Sequence, residues 1–143
     1  MKVCHFTEFE GLLEGGITTS IRHQRKALRR NGIEYTENPS EGFDILHLNV
    51  PGPESFLQFV KAKRQGKPVV MHSHVTGEDF RNSFRFSNAL SPFVGVYTSF
   101  LYNRADVVVA PSTYNRKVLR GNGVKTPVEV VSNGVDAERL EGC

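Results

Sequence analysis

The sequence predicts a single α/β domain with a doubly wound, mainly parallel sheet. Its 143 residues are the length of one domain. Short apolar runs such as Phe43–Val50 and Asp106–Ala110 are typical of buried strands, and segments with apolar residues at helical spacing lie between such runs. Strands that alternate with helices favour a parallel sheet covered on both faces.

The first part of the chain predicts a strand, a loop and a helix. Val3–Phe6 is apolar, an acidic and glycine-rich loop runs from Glu8 to Gly16, and the helix ends at Asn31-Gly32. One side of this helix carries Ile17, Ile21, Gln24 and Leu28. A short strand, Ile33–Thr36, follows the helix.

The middle of the chain repeats this alternation. Phe43–Val50 is a hydrophobic strand that ends at Pro51-Gly52-Pro53. The helical pattern then runs from Glu54 to Gly66, and Pro68–His74 is the next strand.

The last part predicts helices and two further strands. Residues Val75 to Arg104 are expected to form two helices, before and after Pro92. Asp106–Ala110 is a buried strand, and Ser112 is a candidate N-cap for the helix behind it. Val128–Val131 is the final strand.

Cationic side chains are concentrated on the predicted helices, although Lys and Arg exceed Asp and Glu by only 18 to 15. The first helix carries Arg22, Arg25, Lys26, Arg29 and Arg30. Two interpretations remain open for this basic face, a plain solvated surface or a contact with anionic lipid head groups or phosphates. The signatures of nucleic-acid-binding modules are absent, so no nucleic acid partner is predicted.

The sequence favours a cytoplasmic protein, with peripheral association at a membrane as an open alternative. No apolar run approaches the roughly 20 residues that a bilayer span needs. Glu8, Glu10 and Glu14 stand where a secretory signal would be basic and then apolar. Cys4 and Cys143 are expected to be free thiols.

Ligands of doubly wound sheets bind beyond the carboxyl ends of the strands, so residues that follow the strands are the candidate site. Gly15 and Gly16 precede the first helix and would present backbone N–H groups to a phosphate, or would form a plain flexible turn. Neither a dinucleotide-binding fingerprint nor a P-loop is present.

His72 and His74 lie two residues apart on a strand and therefore face the same side. Three interpretations remain: a zinc site without an evident third ligand, a packing role, or contact with a substrate. Packing is preferred for His72, and contact with a sugar hydroxyl or proton transfer for His74. No metal site or resident cofactor is predicted.

Acidic and polar residues near these histidines are candidates for contacts with the hydroxyl groups of a second substrate, the acceptor. Glu78 and Asp79 would bond acceptor hydroxyls, or would open a helix, where carboxylates are also common. His47, at the end of its strand, is grouped with them.

Taken together, five segments of the chain resemble a known family. The runs A-D-x-x-x-A-P-S at Ala105–Ser112 and S-N-G-V-D at Ser132–Asp136 are the most specific of them. The others are the strand before Gly15-Gly16, Phe43–Leu48 and Pro68–His74. Over essentially its whole length the chain resembles the N-terminal domain of the family 4 retaining glycosyltransferases, which have the GT-B fold.

The resemblance implies roles for several residues. The loop at Gly15 and Gly16 would approach the diphosphate of a nucleotide sugar, and His74 would contact the donor sugar. Asn133 and Gly134 would form the hinge to a second domain. The run H-x-H-x-x-x-E-D-F from His72 is similar to members that glycosylate lipids such as diacylglycerol.

On this resemblance, residues 1–143 are the acceptor-side domain of a sugar-transferring enzyme. The donor would be a nucleotide sugar and the acceptor a hydroxyl, possibly on a lipid. A donor-binding C-terminal domain is expected to be missing or to be supplied by a separate chain. The alternative is a non-catalytic α/β module that docks to a partner chain or to an anionic membrane.

Overall fold

A computed structural model describes residues 1–13, 16–74 and 87–133. Its strands within these ranges are β1 (Lys2–Phe6), β2 (Glu34–Thr36), β3 (Ile45–Leu48), β4 (Val69–His72), β5 (Val107–Ala110) and β6 (Val128–Val130). Its α-helices within them are α1 (Gly16–Arg30), α2 (Pro53–Arg64), α3 (Ser87–Arg104) and α4 (Thr113–Gly121).

The strands form one parallel sheet in the order β2-β1-β3-β4-β5-β6. From β1 the chain moves outward to β2, returns past β1 to β3, and then continues in the opposite direction to β6. This reversal confirms the predicted doubly wound, Rossmann-like architecture and puts the switch point between β1 and β3.

The main hydrophobic core lies on one face of this sheet. Cys4, Leu46 and Val69 are neighbours in register across β1, β3 and β4. The helix residues packed in the same cluster are Phe59 and Ala62 of α2, Leu101 and Tyr102 of α3, and Leu119 of α4. Full burial of one large apolar side chain contributes about 1.5–3 kcal/mol, so this cluster contributes substantially to the stability of the domain.

Helix α3 passes through Pro92, and a helix boundary at that proline is therefore wrong. Proline removes one backbone hydrogen bond, to the carbonyl four residues earlier, while the fully buried Leu101 and Tyr102 fix the second half of the helix. The helix predicted before Pro92 falls largely on residues 75–86, outside the described residues.

Polar side chains lie at two of the element boundaries. Strand β3 is shorter than the predicted Phe43–Val50, and just before it the Asp44 carboxylate accepts the backbone N–H of Lys2 at 2.7 Å. At the start of α4, the Ser112 hydroxyl accepts the backbone N–H of Asn115 at 3.0 Å, which confirms the predicted N-cap.

Two further expectations concern the membrane and the cysteines. Within the described ranges, no helix has both the length and the apolar character that crossing a bilayer requires. Cys4 is a buried free thiol, and burial raises its pKa to about 11. Cys143 lies outside the described residues.

Candidate active site at the carboxyl edge of the sheet

The candidate site lies on the sheet face opposite the main core, where the strands end and α1 packs. His5 and His47 are neighbours in register on β1 and β3. His47 pairs with Val70, and since side chains alternate along a strand, His72 projects on the same side. Three neighbouring strands therefore present histidines to one face, beside the switch point.

These residues form a row of imidazoles, His5, His47, His72 and His74, called the histidine row below. The ring centroids of His5 and His47 are 4.9 Å apart, and those of His47 and His72 are 5.8 Å apart. His72 and His74 stack at 4.3 Å with their planes 12° from parallel. The stacking fixes the plane of the His74 ring.

The inner end of the row is held by a buried arginine on α1. Arg25 Nε donates to His5 Nδ1 at 3.3 Å, and His5 Nε2 lies 2.7 Å from Gln24 Oε1. Because an arginine nitrogen can only donate, Nδ1 must accept and Nε2 must carry the proton. His5 is thus held in one neutral tautomer.

Arg25 is itself part of an internal ion pair. Its two terminal nitrogens lie 2.6 and 2.8 Å from the Glu10 carboxylate, and Glu37 is 3.3 Å away. The Arg25 side chain is 11% exposed. Its guanidinium is therefore engaged inside the protein and does not lie on the exposed basic face of α1, where the sequence predicted an anion contact.

Asn49 organises the outer end of the row. This residue directly follows β3 and is fully buried. Its Oδ1 lies 3.1 Å from His74 Nε2, and its Nδ2 donates to Thr7 Oγ1 at 3.3 Å. Gln24 Nε2 also faces His74 Nε2, but at the longer distance of 3.5 Å. The closer contact, to the Asn49 oxygen, has His74 Nε2 carrying the proton and Nδ1 as the acceptor nitrogen.

Burial keeps the histidine row neutral at physiological pH. It lowers the pKa of His72 to about 3, and repulsion from His74 and His5 adds to this shift. It lowers the pKa of His74 to about 4, with a further contribution from His5. The pKa values of His5 and His47 are lowered by the same cause, that of His47 strongly. These rings therefore act as hydrogen-bonding groups and not as cations.

Among residues 1–13, 16–74 and 87–133, several buried polar atoms beside His74 have no hydrogen-bond partner of ordinary geometry. They are His47 Nε2, both ring nitrogens of His72 and the Ser73 hydroxyl. The nearby Asn133 amide raises the pKa of His72 slightly, against the larger lowering that burial causes. Unpaired buried polar groups are costly, so this concentration marks a functional region more than a packing region.

The first half of α1 completes the edge. Ser20 Oγ donates to Asn133 Oδ1 at 2.9 Å, and Gln24 Nε2 donates to Ser20 Oγ at 3.2 Å. Gly16 begins the helix two turns before Gln24, about 12 Å along the axis. A Cβ at Gly16 would meet no atom within 4 Å, so the space beside its backbone is open.

The structure brings together some predicted residues and leaves others untested. His74, His72 and Asn133 lie together, and His47 lies deeper in the row with its Nε2 buried. On α1, Arg22, Arg29 and Arg30 are exposed, and Lys26 is half-buried. The remaining predicted residues, Gly15, Glu78, Asp79 and Gly134, lie outside the described residues.

Sequence reasoning missed Asn49 and Gln24 as site residues. Both had a signal: Asn49 is the polar residue that ends an apolar strand, and Gln24 is polar on the otherwise apolar side of its helix. The zinc alternative for the two histidines is not favoured, because near-parallel stacked rings do not direct their nitrogens at one point. Among the residues that the structure describes, no three potential ligands are grouped to hold a metal ion.

A doubly wound sheet with a polar carboxyl edge defines the class of ligand-binding Rossmann-like lobes. The sequence pattern of Glycosyltransferase Family 4 matches residues 38–139, and the chain belongs to that family. A processive diacylglycerol alpha-glucosyltransferase of Acholeplasma laidlawii is 34% identical over 143 residues, which cover 99% of this chain and 42% of that protein. The chain thus spans less than half the length of the curated relative it matches.

Proposed function

We propose that this chain is the acceptor-side lobe of a retaining glycosyltransferase that moves a sugar from a nucleotide sugar to a lipid hydroxyl. The observation that carries the proposal is His74, a neutral imidazole held at the carboxyl edge by Asn49 and by stacking on His72. The lipid acceptor is favoured by the likeness to a protein named for diacylglycerol glucosylation.

His74 is suited to binding a sugar through hydrogen bonds from a neutral imidazole. Its Nε2–H is already donated to Asn49, so Nδ1 is the nitrogen that would accept a hydroxyl proton of the transferring sugar. Since burial holds the pKa near 4, the ring keeps this acceptor at neutral pH. A fixed ring plane orients the sugar, and orientation of reacting groups is a large part of enzymatic rate enhancement.

The N-terminus of α1 would receive the donor diphosphate. No acidic residue lies in its first turn, and the space beside Gly16 is open. Backbone N–H groups and the helix dipole attract anions at such a terminus. In this proposal Gly15 shares that role, and Glu78 and Asp79 contact the acceptor.

The proposal also includes a second lobe. Asn133 and Gly134 would lead into a donor-binding domain that closes over the carboxyl edge and excludes water during transfer. The predicted acceptor contact of His47 is not used, because its Nε2 is buried inside the row.

The test is transfer of labelled sugar to micellar diacylglycerol by the lobe joined to a donor-binding lobe, with a panel of nucleotide sugars. His74→Ala should lower kcat about 100-fold, because the sugar loses its fixed partner. Gln65→Ala, beyond the end of α2 and away from this edge, is the matched control. His74→Ala with unchanged kcat would refute the role of His74, and absence of transfer with every donor would favour the non-catalytic module.

A further inference from the structure

Five polar side chains form a line of hydrogen bonds from Arg25 to Asn133, called the polar relay below. Arg25 bonds His5 at 3.3 Å, and His5 bonds Gln24 at 2.7 Å. Gln24 bonds Ser20 at 3.2 Å, and Ser20 bonds Asn133 at 2.9 Å although 113 positions separate the two in the sequence. Side chains of β1 and α1 are thereby joined to the segment that follows β6.

The polar relay has one consistent direction. An arginine nitrogen can only donate, so His5 Nδ1 accepts and His5 Nε2 donates to the Gln24 oxygen. The Gln24 nitrogen then donates to Ser20 Oγ, whose single proton is left for Asn133 Oδ1. Every donor along this line meets an acceptor, so the orientation of the Asn133 amide is set from Arg25.

The backbone of Asn133 is held as well. His23 Nδ1 lies 3.1 Å from the Asn133 carbonyl oxygen, which can only accept, so the imidazole donates. Ser20 and His23 are three residues apart and share one face of α1. Because Ser20 is only 2% exposed, water competes little for its hydrogen bond. These two contacts, called the Asn133 anchor below, bind both the side chain and the main chain of one residue.

Residues 131–133, called the exit segment below, depend on this anchor for their position. Val131 donates its backbone N–H to Ala110 of β5 at 2.9 Å, and Asn133 lies beside His72 of β4. Crossing from β6 to β4 covers two strand spacings, about 10 Å, and three extended residues also span about 10 Å. The exit segment therefore has little spare length, and its path is set by what holds its end.

The polar relay also lies beside the candidate site. Gln24 Nε2 is 3.5 Å from His74 Nε2, so the amide that donates to Ser20 is adjacent to the imidazole proposed to bind the sugar. One side chain of α1 is therefore next to the sugar-binding edge and a single hydroxyl away from the exit segment.

We infer that Ser20 and Gln24 are positioning residues that hold the exit segment in a fixed place relative to His74. This inference rests on the proposed function for its purpose, because Asn133 begins the proposed connection to a donor-binding lobe. The Asn133 anchor defines where that lobe starts relative to the His74 ring. Accurate placement of reacting groups is a large part of enzymatic rate enhancement, so neither residue needs to touch sugar or phosphate for this role.

The first test measures exchange of backbone amide hydrogens in the full chain by NMR. Ser20→Ala removes the donor to Asn133, so the Val131 N–H should exchange about fivefold faster, as expected for the loss of one ordinary hydrogen bond. The Val108 N–H, which donates to Pro127 at 3.0 Å within the sheet, is the internal reference and should exchange at an unchanged rate.

A second glutamine provides the matched control. Gln24→Leu interrupts the polar relay and should accelerate exchange at Val131 as Ser20→Ala does. Gln58→Leu makes the same substitution on α2, where the amide bonds Glu54 of the same helix, and should leave Val131 unchanged.

Substitutions of Asn133 test the direction of the polar relay. Asn133→Asp keeps an oxygen that accepts the Ser20 proton and should retain slow exchange at Val131. Asn133→Ala removes that oxygen and should match Ser20→Ala.

The second test is kinetic and uses the lobe joined to a donor-binding lobe. Ser20→Ala should lower kcat about fivefold and leave KM for the nucleotide sugar unchanged, because placement of the lobes is altered and contacts with the donor are not. Asn133→Asp should retain most of the kcat that Asn133→Ala loses, which a merely structural role of the hydroxyl in the folded lobe does not predict.

Each outcome decides for or against the inference. Unchanged exchange at Val131 in Ser20→Ala, or equal acceleration at Val131 and Val108, overturns the Asn133 anchor. Equal exchange in Asn133→Asp and Asn133→Ala overturns the polar relay, and faster exchange with an unchanged kcat overturns the positioning role. Absence of transfer with every donor counts against the proposed function, whereas exchange at Val131 still decides whether the anchor exists, so the two failures are measured separately.

Discussion

The histidine row should make folding stability depend on pH in a range where few other groups titrate. Lowering the pH from about 7.5 to about 5.5 protonates the imidazoles of the unfolded chain, whose ordinary pKa is about 6.5. In the folded chain burial holds the pKa of His72 at about 3 and that of His74 at about 4. The unfolded state therefore binds more protons, and the free energy of unfolding falls as the pH falls.

The size of this loss follows from the linkage relation. At about pH 5.5, roughly ten of eleven unfolded imidazoles are protonated, which is worth about 1.4 kcal/mol per histidine. His72 and His74 together cost about 3 kcal/mol, against a typical total stability of about 5–15 kcal/mol. His5 and His47 shift in the same direction and increase the loss. Above the ordinary pKa both states are neutral and the effect disappears.

Acidic groups contribute little between these pH values. The Glu10 carboxylate, for example, is hydrogen-bonded by Arg25, which holds its pKa below the ordinary 4.5. It stays ionised in the folded chain and almost fully ionised in the unfolded chain until the pH falls further. The change measured in this window therefore reports on histidines.

The assay is urea unfolding followed by far-UV circular dichroism at the two pH values. His72→Phe should reduce the loss of stability by about 1.4 kcal/mol, because one titrating group is removed. His74→Phe provides a second measurement if the first variant is unstable, and His23→Gln, outside the row, shows the effect of removing a histidine elsewhere. A stability that does not change between the two pH values, or the same loss in both Phe variants as in the unaltered chain, would refute the reasoning.

Two further substitutions test long-range contacts by the same unfolding assay at neutral pH. A methyl group at Gly52 would overlap the Glu8 carboxylate. Gly52→Ala should therefore lower the free energy of unfolding by about 1–3 kcal/mol, because Glu8 loses its hydrogen bonds. An unchanged free energy of unfolding would show that Glu8 moves without cost. Arg25→Met leaves the buried His5 Nδ1 without its donor, while the Glu10 carboxylate, 38% exposed, is hydrated instead, so the expected cost is about 1–3 kcal/mol. An unchanged free energy of unfolding would refute this expectation.

The sequence predicted the sheet well because its signals are local. Apolar runs such as Asp106–Ala110 and the cap at Ser112 depend on neighbours a few residues away, and the structure confirms both. The helix boundary predicted at Pro92 was wrong because it relied on a local signal alone. Packing of Leu101 and Tyr102 outweighs the local cost of a proline.

Side-chain partners at the site were harder to predict, because they join distant parts of the chain. Arg25 lies at helical spacing from Ile21 and Leu28, but its partner Glu10 is 15 residues away in the sequence, so periodicity does not predict their ion pair. Asn49 meets His74 across 25 residues, and periodicity does not show such a contact. The sequence could place His74 at the edge, but not the amide that fixes its tautomer.

Glu8 links two parts of the lobe that lie far apart in the sequence. Its carboxylate accepts hydrogen bonds from the backbone N–H groups of Glu54 and Ser55, at 3.1 and 2.9 Å, and thereby caps the N-terminus of α2. The same residue begins the segment that leads from β1 to Gly16. Loss of the Glu8 carboxylate would therefore loosen both the start of α2 and its attachment to the loop that follows β1.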